Sequence, residues 1–271
     1  MNIITLTTDF GLKAPFVSMM KGVLYSINGS LNIVDISHDI DSQDIIEGSF
    51  VITQSYRFFP EGTIHIVVVD PGVGSSRRPL LVCASGHYFI GPDNGVLSHI
   101  ITEDQESSVI EITEEKYFLK GVSATFHGRD IFAPVAACLS KGILPHSFGH
   151  IITDYTQLSI PEVEKGPTSI KGSVIYIDKF GNIITNIPAK ALDDLVQKGL
   201  SFSDLGTWTG GVEIAGIKEY YAEVREGELG AIINSLGLLE VYAYMSNAAK
   251  VIGSVKGDIV EVRIVQDREI H

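Results

Sequence analysis

Residues 63–70, TIHIVVVD, constrain the fold more than any other stretch of this chain. The run is rich in β-branched residues and almost wholly apolar. Such a strand belongs at the centre of a sheet covered on both faces, so helices must flank it. The neighbouring sequence supplies them. NIITLT (2–7) and NIVDIS (32–37) read as further strands, with helical spacing over 16–27 and again over 44–58, where Pro60-Glu61-Gly62 ends it. Strands are also expected at 80–84 and 87–90, and a helix over 129–141 with Asp130 in its first turn and Gly142 at its end. Alternating strands and helices imply a largely parallel sheet.

The pattern changes after about residue 160. Residues 161–167 (PEVEKGP) read as a linker. Beyond it come SVIYID, NIITNI, AIINS, LLEVYAYM and DIVEVRIV, separated by the turn signals DKFGN, SLG and VKGD. The expected architecture is therefore α/β: an N-terminal α/β domain (1–160) with a mostly parallel central sheet, then a smaller C-terminal antiparallel β-barrel-like domain (168–271). A crevice between two domains is a common place for a ligand.

Composition narrows the partners. A hydrophobic fraction of 45% supports packed cores. Thirty-three acidic against 20 basic side chains leave a net charge of −13, without the basic footprint of a phosphate-backbone binder, so no nucleic acid partner is expected. MNIITLTTDFG has neither the basic start nor the long apolar stretch of a signal peptide. The most apolar later run, 230–245, is interrupted by Asn234, Ser235 and Glu240 and is too short to span a bilayer. The expectation is a soluble, cytoplasmic protein with no membrane partner. Cys83 and Cys138 lie in apolar surroundings and read as buried structural thiols.

Three aspartates stand where a strand yields to a loop: Asp9, Asp35 and Asp70. In open parallel sheets, ligands bind at those carboxyl ends. Asp9 suits either a ribose diol or the cap of the following helix. Asp70 opens DPGVGSSRR, whose glycines permit close backbone approach. That loop lacks both the Walker ending and the third glycine of a dinucleotide fingerprint. It reads either as a ligand loop or as a tight turn with a solvated arginine pair. His127, in TFHGRD, is either a proton-handling residue or a cap. A metal reading would run through Asp70, His127 and Asp130, but no paired His/Cys spacing supports it and no metal is assigned. In the C-terminal part, DKFGN reads as a hairpin turn, while 234–237, Glu240 and 247–249 set polar groups among apolar strands, which is costly unless they are paired. Trp208 and the pair Tyr220-Tyr221 either stack on a planar base or pack in the core.

Together these segments resemble the S-adenosylmethionine hydroxide adenosyltransferases, or SAM hydrolases, relatives of the fluorinase and chlorinase. The likeness covers essentially the whole chain: TTDFG, VVDPGVGSSRR, GPDNGVL, TFHGRD, DKFGN followed by TN, and NSLGLLEV with NAA, in one order. The resemblance implies attack of activated water or hydroxide at C5′ of S-adenosyl-L-methionine, giving adenosine and L-methionine without a cofactor. It implies that Asp70, Arg77 and His127 activate the water and that Asp9 holds the ribose hydroxyls. Asp178 and Asn182 would contact the methionine amine and the adenosine. Ser235, Glu240, Asn247 and Ala248 would line the adenine and methionine region, with Tyr221 stacking on adenine and Tyr220 a near equivalent. It also implies homotrimers with each active site between the N-domain of one subunit and the C-domain of its neighbour. Compared with the fluorinase, Asp70 replaces a tyrosine, Gly128 a serine and Leu236 an arginine, and the long N-domain insertion is missing. Asp70 with His127 favours water over halide. The alternatives are a halide-using relative and a non-catalytic adenosine or S-adenosylmethionine sensor.

Overall fold

The apolar run at 63–70 lies where its composition demands. In a computed structural model, which describes residues 3–159, 161–196 and 200–265, it forms β3 (Ile64–Val68) with every residue buried. The other strands of this sheet are β1 (Ile3–Thr8), β2 (Asn32–Ser37), β4 (Pro79–Ala84), β5 (His87–Pro92), β6 (Ser108–Ile112) and β7 (Gly149–Ile152). Their order is β2-β1-β3-β5-β4-β6-β7. The first four strands of that order run parallel, and the remaining pairings are antiparallel. The sheet is therefore mixed, with a narrower parallel part than strand–helix alternation alone suggests. The reason is local: only Ser85 and Gly86 join β4 to β5, both at positive φ, the two-residue turn that folds a strand straight back on itself.

Helices α1 (Phe16–Ile27), α2 (Ile45–Ser55), α3 (Ser98–Glu103) and α4 (Ala133–Ser140) cover the sheet. Met20 and Leu24 of α1 and Val135 of α4 pack on one face with Ile4, Leu6, Ile66 and Val68. Ile52 of α2 and Ile100 of α3 pack on the other with Val67, Val82 and Phe89. Helical spacing over 44–58 resolves into α2 and a 3-10 turn at Tyr56–Phe58. The helix expected over 129–141 begins as one π-helical turn, Gly128–Phe132, before α4. Because β2 and β3 lie on opposite sides of β1, the chain reverses direction across β1 and β3. The carboxyl ends of those two strands then open a crevice. Thr8 and Val68 are register partners there; Asp9 follows Thr8 directly and Asp70 follows Val68 after Val69, each at the start of its loop.

The chain divides into two compact units, Met1–Ser159 and Ile160–His271. In the second, β8 (Glu164–Lys165), β9 (Ser169–Ile177), β10 (Ile183–Pro188), β11 (Leu205–Thr209), β12 (Val212–Ala215), β13 (Ile217–Lys218), β14 (Leu229–Ile233), β15 (Leu238–Ala243) and β16 (Ile259–Ile264) make one sheet. Its order is β12-β11-β16-β9-β10-β15-β14-β13, with β8 added on β9. The pairings are antiparallel except for β13 with β14. β12 packs beside β14 and β11 beside β13, so the sheet curls into a nearly closed barrel around Val174, Ile183, Leu239, Val241 and Val260. Part of the expected linker, Glu164–Lys165, is a strand of this barrel. Helices α5 (Ala189–Leu195) and α6 (Ala248–Ile252) complete the unit. No helix among the described residues is long and apolar enough to cross a membrane.

A buried polar chain runs through the first core. Thr5 Oγ1 lies 2.7 Å from His65 Nδ1, and His65 Nε2 lies 3.2 Å from His87 Nδ1. Burial, reinforced by His87, holds the His65 imidazole down at about 3, against an ordinary 6.5. The unfolded chain therefore binds a proton at His65 that the native state refuses. The stability this group contributes is complete above about pH 6.5 and is lost as pH falls toward 3. Urea unfolding of wild type and His65→Gln at about pH 5 and about pH 7 checks this. The wild-type midpoint should fall more steeply between the two; equal falls would show that His65 does not carry the effect.

Candidate active site

The loop after β3 turns on its glycines. Val73 N–H donates to Asp70 O at 3.2 Å and Ser75 N–H to Gly72 O at 3.1 Å. Gly74 has φ +77, and a Cβ there would stand 2.0 Å from Ala124 O, so only glycine lets this loop lie against the one before His127. The result is a triad. Arg77 Nε donates to Asp70 Oδ1 at 3.0 Å, and its Nη2 donates to Asp70 Oδ2 and, at 2.8 Å, to His127 Nδ1. Both charged side chains are almost wholly buried, 4% exposed for Asp70 and 8% for Arg77. The guanidinium also lies over the Phe132 ring at 5.5 Å. Its Nη1 is buried and has no hydrogen-bond partner among the described residues, an unspent donor of the kind that an oxygen ligand satisfies.

Arg77 sets the state of the histidine. A guanidinium only donates, so Nδ1 of His127 accepts and the proton of the neutral ring is on Nε2. Burial lowers the His127 pKa, and Arg77 lowers it further, against the opposing pull of Asp70 and Asp130. The ring is neutral at neutral pH.

The two arginines of the loop divide their work. Arg78 is not a solvated partner of Arg77. It binds Asp93 Oδ2 at 2.8 Å through Nε and Asp154 Oδ1 at 2.9 Å through Nη1. Asn94 Nδ2 donates to Val69 O at 2.8 Å. Asp93 and Asn94, which sequence reasoning did not single out as site residues, thus hold both flanks of the loop. Asp130 accepts from Ser123 N and Oγ and from Arg129, so it serves the fold and does not join Asp70 and His127 as a metal ligand.

Asp9 does not cap α1, whose first position follows Pro15 without a side-chain cap. Its Oδ2 instead accepts from Gln43 N–H at 2.8 Å. Phe10, Phe16 and Phe126 meet edge-on at 5.3–5.8 Å, which ties the loop carrying Asp9 to the segment carrying His127. Asp35 is paired with Lys21 at 2.6 Å and His38 at 3.0 Å.

The barrel carries a second cluster. Asp178 Oδ1 accepts from Phe180 N and Asn182 N, both at 2.9 Å, shaping the turn between β9 and β10. Asp178, Asn182 and Tyr221 line a cavity of about 530 Å³ with Phe180, Tyr242, Tyr244, Met245 and Ser246. Below Tyr221 lies Glu240, 4% exposed on the central strand β15. Its carboxylate accepts from Tyr221 Oη at 2.9 Å and Asn234 Nδ2 at 3.1 Å. Burial pushes the Glu240 carboxyl up, and hydrogen bonds from Asn234, Tyr221 and Asn182 pull the other way. Burial and Glu240 raise the Tyr221 hydroxyl to about 12. Four aromatic rings and a few polar groups suit a planar base bearing hydroxyl or amine groups.

Other sequence candidates fall elsewhere. Tyr220 lies outside the cavity lining, which separates it from Tyr221. Trp208 lies under Arg263, 5.1 Å from its ring centre. Asn247 caps α6 by accepting from Lys250 N at 2.7 Å and lies against Gly181 of the DKFGN turn. Ala248 is buried in the barrel core, and Ser235 is exposed on the turn between β14 and β15. Cys83 and Cys138 are free and half-buried, less enclosed than expected; burial raises both thiols, Cys83 to about 11. Although β15 ends at Ala243 and Tyr244 lines the cavity from the turn beyond it, alternation along the expected strand LLEVYAYM puts Tyr242 and Tyr244 on one face, a signal the sequence did hold. Met245, at φ +53, had none.

The chain matches the family models of the SAM hydroxide adenosyltransferase N-terminal domain over residues 4–149 and C-terminal domain over residues 172–261. It is 34% identical to the (R)-S-adenosyl-L-methionine hydrolase of Methanocaldococcus jannaschii, over 97% of this chain and 96% of that one. It is 27% identical to the fluorinase of an Actinoplanes species, over 74% and 75% of the two chains. Among solved structures it is similar to an uncharacterized conserved protein from Thermotoga maritima, with TM-score 0.89 and 34% identity over 96% and 99% of the two chains.

The Glu240 cluster is testable without substrate. Asn234 Oδ1 already accepts from Leu236 N and Leu238 N, so its amide cannot turn round. Glu240→Leu therefore leaves the Asn234 NH₂ and the Tyr221 hydroxyl without their acceptor and should cost about 1–3 kcal/mol in chemical denaturation. An unchanged unfolding free energy would mean that the cluster is slack.

Proposed function

This chain belongs to the SAM hydroxide adenosyltransferase family, and from that membership we propose that it hydrolyses S-adenosyl-L-methionine to adenosine and L-methionine. The observation that carries the reading is the Asp70–Arg77–His127 triad with its unspent Nη1 donor at the carboxyl end of β3. In the reaction a C5′–O bond forms as the C5′–S bond breaks. Sulfur keeps the bonding pair and leaves as the neutral thioether of methionine, so the leaving group needs no acid, metal or redox cofactor.

The difficulty lies with the nucleophile. Arg77, offering Nη1 to the water, favours its hydroxide form as an adjacent cation does. Asp70, held rigid by Arg77, has lone pairs left to receive the proton. His127, with Nδ1 occupied, presents Nε2–H and orients the oxygen. Asp9 holds the ribose diol, and the 530 Å³ cavity takes the adenine and the amino acid moiety on Tyr221, Asp178 and Asn182. In this reading Ser235, Asn247 and Ala248 contribute through the turn and helix start around them. Alignment of oxygen, C5′ and sulfur is worth about 7–11 kcal/mol. The Methanocaldococcus jannaschii relative is named for the (R) sulfonium epimer, and the same preference is part of this proposal.

Hydrolysis is tested with purified protein and each sulfonium epimer in halide-free buffer. Equal amounts of adenosine and methionine are expected, faster from the (R) epimer. Asp70→Asn and His127→Ala should lower kcat by about 100-fold or more and leave adenosine affinity nearly unchanged. Turnover only after chloride or fluoride is added would replace the reading with halogenation. Adenosine binding without turnover would replace it with a sensor.

The working assembly in this reading is a cytoplasmic homotrimer, with the Asp70 site of one subunit completed by the barrel cavity of the next. Large apolar side chains near both sites support a covering partner: Leu12 is 72%, Phe180 74% and Met245 78% exposed. Light scattering should give three times the chain mass of 29.4 kDa. A monomer would remove the shared site.

A further inference from the structure

Among the described residues three non-glycine residues have positive φ, and one of them, Gln43 at φ +68, touches the crevice between β1 and β3 through Asp9. Positive φ in a residue with a long side chain is costly and persists only where surroundings impose it. Asp44 N–H donates to Asp41 O at 2.9 Å, closing a four-residue turn with Gln43 third, and Ser42 is not among the positive-φ residues. That is the type II arrangement, which normally asks for glycine or asparagine at this place.

The turn type decides what Asp9 meets. Types I and II differ by a flip of the central peptide, here the one between Ser42 and Gln43. In the type II form its N–H faces Asp9 Oδ2 at 2.8 Å. In the type I form the Ser42 carbonyl would face that carboxylate, replacing attraction with repulsion. Oδ1 accepts no hydrogen bond from a described residue and stays available. The same segment grips the Asp9 loop twice more: His38 Nδ1 lies 2.9 Å from Thr8 Oγ1, and His38 O accepts from Gly11 N at 2.8 Å. His38 is 5% exposed, so this grip is part of the core.

We propose that Gln43 is a positioning residue for nucleoside binding, acting by its left-handed backbone, which aims one N–H at Asp9 Oδ2 and leaves Oδ1 for a ribose hydroxyl. This rests on the assignment of Asp9 to the ribose. The side chain of Gln43 has no part in it. Any residue at ease with positive φ should serve, and a β-branched one should not.

The test is adenosine affinity by calorimetry for wild type, Gln43→Gly, Gln43→Val, Asp9→Ala and the double variant Asp9→Ala with Gln43→Val. Gln43→Val should weaken binding by roughly tenfold or more, the size of one lost hydrogen bond to a charged group. Gln43→Gly should restore affinity to within about threefold of wild type, and on the Asp9→Ala background the valine should add less than about threefold. With saturating S-adenosyl-L-methionine, kcat of Gln43→Val should stay within about threefold of wild type while KM rises. Wild-type affinity in Gln43→Val, failure of glycine to restore it, or an undiminished effect of valine without Asp9 would each overturn the proposal. Thermal melts identify a variant that does not fold, in which case Gln43→Thr takes the place of valine. Wild-type affinity in Asp9→Ala would overturn the ribose assignment as well, whereas a weak Asp9→Ala with a tight Gln43→Val overturns only the role of Gln43.

Discussion

The parallel pairing of β1 with β3 is the contact on which the N-terminal unit depends. Both strands are buried on both faces, so their register is enforced by two cores at once, one under α1 and α4 and one under α2 and α3. Loops follow at the shared carboxyl edge, and the loops carry the charged groups. Asp9 and Asp70 are neighbours there because Thr8 and Val68 are register partners, although some sixty residues separate them in the chain. A one-residue slip of β3 would turn Val67 and Val68 to the wrong faces and carry the Asp70 loop with them.

Both polar clusters obey one rule: a buried charge is tolerable when every remaining capacity is met, and the exception marks a ligand. Arg77 sits between Asp70 and His127 with three of its five donor hydrogens engaged, the one on Nε and the two on Nη2, while Nη1 remains unspent. Glu240 is the counterpart in the barrel, a carboxylate on a central strand whose oxygens are occupied by Tyr221 and Asn234. The first cluster has a donor to offer an oxygen. The second spends its charge on fixing an aromatic wall. That difference suits activation of a nucleophile on one side and recognition of a base on the other.

Structural neighbours do the holding. Arg78, Asp93 and Asn94 brace the Asp70 loop, Asp178 shapes the turn that places Asn182, and Asn247 joins that turn to α6. None of these braces needs to touch substrate for its loss to displace a residue that does. The catalytic reading of a motif such as VVDPGVGSSRR therefore divides by residue: its glycines shape the loop, Arg78 anchors it and Arg77 faces inward.

Much of this was legible in the sequence. The run at 63–70, the strand–helix alternation and the β-rich remainder announced the two architectures, because hydrophobic periodicity is local and reports directly on which faces are buried. Six ordered motifs brought Asp9, Asp70, Arg77, His127, Asp178, Asn182 and Glu240 to notice together, and the Tyr220-Tyr221 pair stood beside them. Only the tertiary structure decided which arginine turns inward, which of Tyr220 and Tyr221 lines the cavity, that Asn247 caps a helix, and that Gln43 grips Asp9. These depend on where backbone N–H groups point and on contacts between residues distant in the chain. A residue's type states what it is able to bond, and only the fold determines what stands opposite it.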